Sequence, residues 1–163
     1  MDIHIAKTFE DAEVIADLAA SIWIEHYASI LGVEQVTYML QTLQSKSAIW
    51  RSIQSGQVYW LVCDQKLPIG YASYSLSEDV FFLSKLYLNR LSRGKGLGRQ
   101  LFNQMIDKAK DENKSSIMLT VNKYNTPSIA AYKKMGFKTI NETVTDIGHG
   151  FVMDDYVMTY NIL

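Results

Sequence analysis

The spacing of apolar residues predicts a helical front part of the chain. Apolar residues recur about every three or four positions after Thr8, which opens a near-match to a capping box, and this pattern predicts a first helix. Two shorter helical stretches follow at about residues 33–43 and 47–54. Before the first helix, apolar and polar residues alternate at residues 3–5 and predict a short strand.

The middle of the chain carries strand-like patterns. Residues 57–63 and 68–74 are rich in β-forming residues and flank a tight turn, so we predict a hairpin. Residues 80–88 predict a third strand, whose side chains alternate between the two faces of the sheet. A strong helical pattern follows at about residues 96–112, and a short apolar run at residues 117–121 predicts a buried strand.

The last part predicts one more helix and two closing strands. The segment Asn125-Thr126-Pro127 is typical of a helix start with proline at the first helical position, and Gly136 can supply a left-handed cap at the other end. Residues 137–145 and 151–160 predict the strands. The predicted fold is α/β, a mixed sheet with antiparallel arms and a parallel crossing at its centre, in a single domain of all 163 residues.

Composition narrows the classes of protein that fit. The net charge of −1 comes from interspersed charges of both signs, which gives no clustered basic face for nucleic acid. Cys63 is the only cysteine, so an internal disulfide is impossible and a reducing, cytoplasmic setting is expected. The N-terminus lacks a signal-peptide pattern, and no apolar run approaches the roughly 20 residues that span a bilayer, so we expect no membrane partner.

A glycine-rich loop, Arg93–Gly98, lies directly between a predicted strand and a predicted helix. A helix N-terminus exposes unpaired backbone N–H groups with partial positive charge, and glycines allow an anion to approach the backbone. A pyrophosphate is the natural ligand of such a loop. The third glycine falls at the wrong place for a dinucleotide-binding fingerprint, and Lys95 is followed by Gly96 rather than by the Ser or Thr of a Walker loop.

The loop does match R/Q-x-x-G-x-G/A, the acyl-CoA loop of the GNAT superfamily of N-acetyltransferases, at Arg93, Gly96 and Gly98. Downstream, residues 119–125 resemble the superfamily's fifth strand and the loop after it. A final set of residues resembles the pattern N-x-x-A-x-x-x-Y-x-x-x-G-F, with the alanine slightly displaced; these are Asn125, Ala130, Tyr132, Gly136 and Phe137. The sequence therefore resembles this superfamily.

The resemblance implies a fold and a cosubstrate. The fold is a mostly antiparallel mixed sheet of six to seven strands, flanked by about four helices and splayed at its middle strands. The cosubstrate is acetyl-CoA, with no metal. The residues that would hold it are Leu86, Tyr87 and Leu88 along the pantetheine arm, Arg93, Gly94, Lys95, Gly96, Leu97, Gly98 and Arg99 at the pyrophosphate, and Asn125 and Tyr132 farther along the chain.

The reaction implied is direct attack of an amine on the thioester carbonyl. Tyr132 is the implied general acid for the leaving thiolate, and a backbone N–H near Leu86 is the implied oxyanion donor. Some family members carry a Glu on the fourth strand, but the strand at residues 80–88 has no acid and Lys85 is its only charge, so the general base stays open. The side-chain candidates are Glu25, His26, His149, Asp154 and Asp155; the alternatives are an ordered water or an amine that arrives deprotonated.

The acceptor is expected to be a small primary amine. The segment 150–158 and the pair Trp23 and Tyr27 resemble the bacterial branch that acetylates spermidine, spermine and similar amines. Trp23, Glu25 and Tyr27 would line a pocket for a cationic amine, with cation–π contacts to the rings. Two alternatives stay open, an acetyltransferase for protein N-termini or lysines and a non-catalytic acyl-CoA-binding regulatory module. A last strand shared between two subunits would make a homodimer.

Overall fold

A computed structural model of the chain describes residues 1–162. The fold is α/β, with five α-helices in the described range, one more than the resemblance implies. The α-helices are α1 (Phe9–Leu31), α2 (Val33–Thr42), α3 (Lys46–Gln54), α4 (Leu97–Asp111) and α5 (Thr126–Met135). A short 3-10 helix, η1 (Arg90–Ser92), also forms in the segment that the sequence shows only as a polar loop.

Seven strands form one mixed sheet in the order β1-β2-β3-β4-β5-β7-β6. Their bounds are β1 (Asp2–Ile5), β2 (Val58–Asp64), β3 (Leu67–Leu76), β4 (Val80–Leu88), β5 (Ser116–Asn122), β6 (Lys138–Gly148) and β7 (Phe151–Asn161). Strand β4 pairs with β5 in parallel over only Val80–Phe82, whereas β5 pairs with β7 antiparallel along its whole length. The short parallel register fits a splay at the middle strands.

The chain divides into two compact units. The first unit comprises Met1–Ser75 with Lys85–Gly98, and the second comprises Leu76–Ser84 with Arg99–Leu163. The glycine loop and the end of β4 belong to the first unit, and helix α5 belongs to the second. The expectation of one acetyltransferase domain stays a prediction.

Local signals explain where α1 begins and which face it buries. The Thr8 side chain accepts from the Asp11 backbone N–H, and the Asp11 carboxylate accepts from the Thr8 N–H, which completes the capping box. Ala12, Ile15 and Ala19 are fully buried at helical spacing, as in a helix packed on a core. Each cap of this kind stabilises a helix by about 1 kcal/mol.

Helix α1 is long and apolar enough to cross a membrane by length and composition alone, with a mean hydropathy of 1.3 over its most apolar window. Core helices of globular proteins pass the same test, and the stripe of buried residues on α1 has their pattern. The expectation that the chain has no membrane partner therefore stays a prediction.

The second unit is built on β5, β7 and β6. Helix α4 buries Leu101, Met105 and Ala109, as the apolar stripe predicts. The ring of Phe102 lies 5.2 Å from that of Phe137 and 5.4 Å from that of Tyr160, measured between centroids. These aromatic contacts form a core on one side of the three strands.

One expectation from the sequence is wrong at this point. The last strand, β7, is not an edge, because it lies between β5 and β6 and pairs with both. Strand β6, the first strand of the closing hairpin, lies at the edge of the sheet, and the return strand β7 pairs inward with β5. A shared last strand therefore gives no reason for a dimer, and the homodimer stays a prediction without that argument.

Candidate active site

The glycine loop is tightly organised at its start. Strand β4 ends at Leu88, and the Asn89 side chain then caps η1 by accepting from the Ser92 N–H at 3.0 Å. The Asn89 N–H donates to the Ile69 carbonyl at 2.8 Å, and Arg93 Nε donates to the Leu88 carbonyl at 3.0 Å. These bonds fix the direction in which the chain leaves the strand.

Two glycines then adopt a conformation that other residues avoid. Gly94 has φ of +73° and Gly96 has φ of +77°, both in the left-handed region. A Cβ atom built on either glycine meets nothing within 4 Å, so the space beside the loop is open. The backbone can therefore approach a ligand closely from that side.

The electrostatics of the loop favour an anion. Helix α4 starts at Leu97 with no acidic residue in its first turn. Its first N–H groups have no partner within the helix, and they carry the positive end of the helix dipole. Arg93, Lys95 and Arg99 are exposed around this terminus. Open space, free amides and flanking cations together fit the diphosphate of acetyl-CoA.

The end of β4 is held against β3 at close range. A Cβ atom on Gly70 would stand 2.2 Å from the Tyr87 carbonyl oxygen and 2.8 Å from Leu88 Cδ2. Only glycine permits this approach. It sets the course of Leu86, Tyr87 and Leu88, the backbone segment expected to run along the pantetheine arm.

Lys85 immediately precedes that segment. Burial lowers the pKa of its ammonium to about 8, because a desolvated charge is disfavoured. The Nζ atom lies 5.6 Å from the centroid of the Tyr59 ring, a cation–π contact. Lys85 is thus a desolvated cation within the sheet.

The structure brings three sequence-selected aromatic residues of the first unit together. The Trp23 ring lies 5.1 Å from that of Tyr27 and 5.5 Å from that of Tyr87, between centroids. The group includes a fourth ring, Tyr71, 5.4 Å from Tyr87, which sequence reasoning did not select. Tyr71 accepts from Trp23 Nε1 at 3.0 Å and donates to Gln44 Oε1 at 3.2 Å.

Glu25 does not join this aromatic group through any described contact. Its carboxylate lies 3.5 Å from Arg90 Nη1, and both side chains are largely exposed. An exposed pair of this kind contributes little to stability. Among the other candidates for the base, the ring of His26 lies edge-on to Tyr27 at 4.8 Å, and His149 lies in the β6–β7 turn with φ of +56°.

The second unit positions Asn125 and Tyr132 on one helix. Asn125 is the N-cap residue of α5 and only 1% exposed, and its N–H donates to the Asn122 carbonyl at 3.0 Å. The Tyr132 ring is half-buried and lies 5.5 Å from that of Phe137. Gly136 ends the helix with φ of +109°, as the sequence predicts.

The two aspartates of β7 have different surroundings. Asp154 Oδ1 makes no hydrogen bond within residues 1–162 but forms an ion pair with Lys123 Nζ at 2.9 Å, and the same ammonium lies 2.7 Å from Glu142 Oε2. Asp155 is buried, and its Oδ1 atom has no hydrogen-bond partner within residues 1–162. Burial, and secondly the charge of Asp154, raise the pKa of Asp155 to about 6.

Within residues 1–162, no group of three or more His, Cys, Asp or Glu side chains could hold a metal ion. A pocket in the first unit lies along α1 and contains Glu13, Asp17, Gln44 and Lys46. It contains none of the residues selected from the sequence for the site. Gln44 alone connects it to the aromatic group, through the bond from Tyr71.

Known proteins resemble the chain in fold over nearly its whole length. PaiA N-acetyltransferase from Thermoplasma acidophilum, solved in complex with coenzyme A, is 24% identical with a TM-score of 0.80, and the match covers 99% of each chain. Ribosomal-protein-alanine N-acetyltransferase from Brucella melitensis is 19% identical with a TM-score of 0.70, covering 99% of each chain.

A curated relative and a family profile extend the comparison to the sequence. The N-acetyltransferase YobR of Bacillus subtilis is 22% identical over 123 residues, which are 76% of this chain. The match covers 48% of YobR, so this chain spans about half the length of that relative. The profile described as acetyltransferase (GNAT) family matches residues 20–137, well over half of the chain. The chain therefore belongs to the acetyltransferase (GNAT) family.

Proposed function

We propose that this protein transfers the acetyl group of acetyl-CoA to a primary amine of a small, positively charged molecule such as a polyamine. The observation that carries the proposal is the loop at the start of α4. There, Gly94 and Gly96 hold left-handed conformations beside open space at a helix N-terminus. Family membership supports the same cosubstrate.

In this proposal each part of the chain has a separate task. The amides from Gly94 to Arg99 bind the diphosphate, with Lys95 and Arg99 adding positive charge. The backbone of Leu86, Tyr87 and Leu88 orients the pantetheine arm, and a backbone N–H near Leu86 stabilises the oxyanion. Acetyl-CoA itself supplies an activated carbonyl and a thiol leaving group.

The second unit contributes polar groups for the same reaction. Asn125 binds the pantetheine arm or the loop around it, and the Tyr132 hydroxyl gives a proton to the departing sulfur. A thiolate with an ordinary pKa of about 8.5 is a tolerable leaving group, so this proton accelerates the reaction without being indispensable.

The aromatic group of the first unit supports a cationic acceptor. Trp23, Tyr27 and Tyr87 form a cluster of aromatic rings, the kind of side chain that attracts an ammonium. The formal charge of the chain is −1, so long-range repulsion of a cation is not expected. We assign Trp23 and Tyr27 to the acceptor side and give Glu25, with its exposed ion pair to Arg90, an electrostatic role there.

The experiment combines binding with turnover. Calorimetric titration with CoA measures binding, and release of free thiol from acetyl-CoA measures turnover with spermidine, spermine, an aminoglycoside, free amino acids and a peptide with N-terminal alanine. We expect micromolar CoA binding and turnover of the polyamines. Turnover of the peptide alone would favour a protein N-terminal acetyltransferase, and CoA binding without turnover of any amine would favour a regulatory module.

A matched pair of variants tests the loop. Gly96→Ala introduces a side chain at positive φ inside the loop, and Gly56→Ala does so at φ of +101° in equally open space after α3. Each costs about 1 kcal/mol of folding stability, because a non-glycine residue is strained there. Only Gly96→Ala is expected to weaken CoA binding, by at least about tenfold. Equal CoA affinity in the two variants would count against the loop as the site.

A further inference from the structure

Asp155 of β7 is a buried carboxylate with one oxygen atom that lacks a hydrogen-bond partner among the described residues. The residue is 6% exposed, and the oxygen without a partner within residues 1–162 is Oδ1. Proteins almost always pair a buried carboxylate with a cation or with hydrogen-bond donors, because an unpaired one costs folding free energy. Burial raises the pKa of Asp155 to about 6, which reflects that cost.

The local cation is already occupied by other acids. The Lys123 ammonium lies 2.9 Å from Asp154 Oδ1 and 2.7 Å from Glu142 Oε2, so two carboxylates share one positive charge. Asp155 follows Asp154 on β7, and consecutive strand residues point to opposite faces of the sheet, so Asp155 lies on the face opposite to this ion pair. An acid without a cation on its own face suits a positively charged ligand.

The position of Asp155 relates it to the expected site. It lies directly opposite Asn122 of β5 in the antiparallel register, and directly opposite residues of paired strands share a face of the sheet. The Asn122 carbonyl accepts from the N–H of Asn125, the buried N-cap residue of α5. The same helix carries Tyr132. Asp155 is thus connected to Asn125, the residue assigned to the pantetheine arm, through its strand partner Asn122 and one backbone hydrogen bond.

We infer that the Asp155 carboxylate binds the ammonium of the acceptor and is the general base that takes its proton. The inference rests on the proposed function and assigns the base that the sequence leaves open. A bound ammonium would offset the free-energy cost of burying the Asp155 carboxylate. Unpaired buried acids of this kind are typical of functional sites.

One proton moves from the acceptor ammonium to Asp155 Oδ1, which leaves a neutral amine. The amine lone pair forms the new N–C bond, and the C–S bond breaks with its electron pair on sulfur. The Tyr132 hydroxyl protonates that sulfur, and the second proton on the new amide nitrogen restores the phenol. Asp155 then releases its proton to solvent, so the net products are the amide, the thiol and one proton.

The test compares Asp155→Asn with Glu142→Gln, which removes one negative charge from the opposite face of the β6–β7 strand pair and is not assigned to the reaction. CoA affinity is measured by calorimetry, turnover with spermidine and with alanine amide, and Tm by thermal unfolding. We expect Asp155→Asn to keep its CoA affinity, to gain Tm, and to lose about 100-fold or more in kcat/KM for the better amine. Glu142→Gln should change kcat/KM little.

A measurement on the unmodified protein keeps the inference testable if the variant folds poorly. Carbon-detected NMR of the Asp155 carboxyl, with CoA present, should show its pKa fall when spermidine is added, because a cation stabilises the ionised form. An Asp155 resonance that spermidine or alanine amide leaves unchanged at saturation would overturn the inference. So would an Asp155→Asn enzyme with nearly full turnover, or one that loses Tm together with activity. Failure of the unmodified protein to bind CoA would defeat the proposed function instead, and the inference with it.

Discussion

The backbone of Gly70 lies so close to the backbone of Tyr87 that a Cβ atom on Gly70 would stand 2.2 Å from the Tyr87 carbonyl oxygen. A methyl group there cannot be accommodated by a rotamer change, because the obstacle is backbone. Strand β3 can therefore lie this close to the end of β4 only because residue 70 has no side chain. The course of the proposed pantetheine segment depends on this glycine.

The first prediction is that Gly70→Ala destabilises the protein and weakens CoA binding together. The strands must separate locally, at a cost of about 1–3 kcal/mol, which denaturant unfolding would detect. Gly98→Ala is the control for stability, because its Cβ atom would meet only Leu88 Cδ1 at 4.0 Å. Gly98→Ala should unfold at the same or a higher denaturant concentration. Equal stability of the two variants would show that the close approach is not rigid.

The second prediction concerns Tyr132→Phe. Loss of the hydroxyl should lower kcat by at least about tenfold while leaving the Tm nearly unchanged, because the ring contact with Phe137 remains. Tyr124→Phe is the matched control. Tyr124 directly precedes the N-cap residue of α5, is 69% exposed and has no assigned role. Steady-state kinetics of both variants with the same amine provide the comparison. A Tyr132→Phe enzyme as fast as the Tyr124→Phe enzyme would remove Tyr132 from the mechanism.

The third prediction concerns the hydrogen bonds inside the aromatic group. Tyr71→Phe leaves the Trp23 indole N–H and the Gln44 amide oxygen without the hydroxyl that now joins them. Buried polar groups that lose a partner cost about 1–3 kcal/mol each, so a clear fall in the free energy of unfolding is expected. The KM for a cationic amine should rise as Trp23 becomes less ordered. A Tyr71→Phe protein as stable as the unmodified one would imply that water replaces the hydroxyl.

Local features of this fold could be predicted from the sequence because their causes are local. The capping box at Thr8 and the left-handed cap at Gly136 are each set by residues within a few positions. The bounds of β4, Val80–Leu88, follow from the sequence, since the run is almost entirely apolar and both its ends carry loop residues. The glycine loop was recognisable for the same reason.

Other parts of the site depend on contacts between distant residues. Trp23 and Tyr71 are 48 positions apart, and Tyr71 and Gln44 are 27 apart, so no spacing rule could join them. The place of β7 between β5 and β6 is likewise a choice of pairing that a strand pattern does not contain. The sequence also does not show that Asp155 Oδ1 lacks a hydrogen-bond partner or that Lys123 is paired with Asp154, because both depend on the folded structure. A run of two aspartates on a strand otherwise resembles a solvated edge.

The fourth prediction uses the desolvated ammonium of Lys85. Burial lowers its pKa from 10.5 to about 8, so between these values the unfolded chain binds more protons than the folded protein. Stability therefore rises with pH through that window, and the destabilising effect of Lys85 is fully present below pH 8. Lys85→Met removes this effect and should add on the order of 2–3 kcal/mol at pH 7, a gain that shrinks as the pH approaches 10.5. Chemical unfolding at several pH values measures both quantities.

The control for this prediction is Lys138→Met, an exposed lysine at the start of β6. Its substitution should change the free energy of unfolding by a similar small amount at every pH, because an exposed ammonium has little desolvation to relieve. The decisive quantity is the difference between the two variants as a function of pH. If the Lys85→Met gain were as large near pH 10.5 as at pH 7, it would arise from apolar packing of the methionine and not from the buried charge.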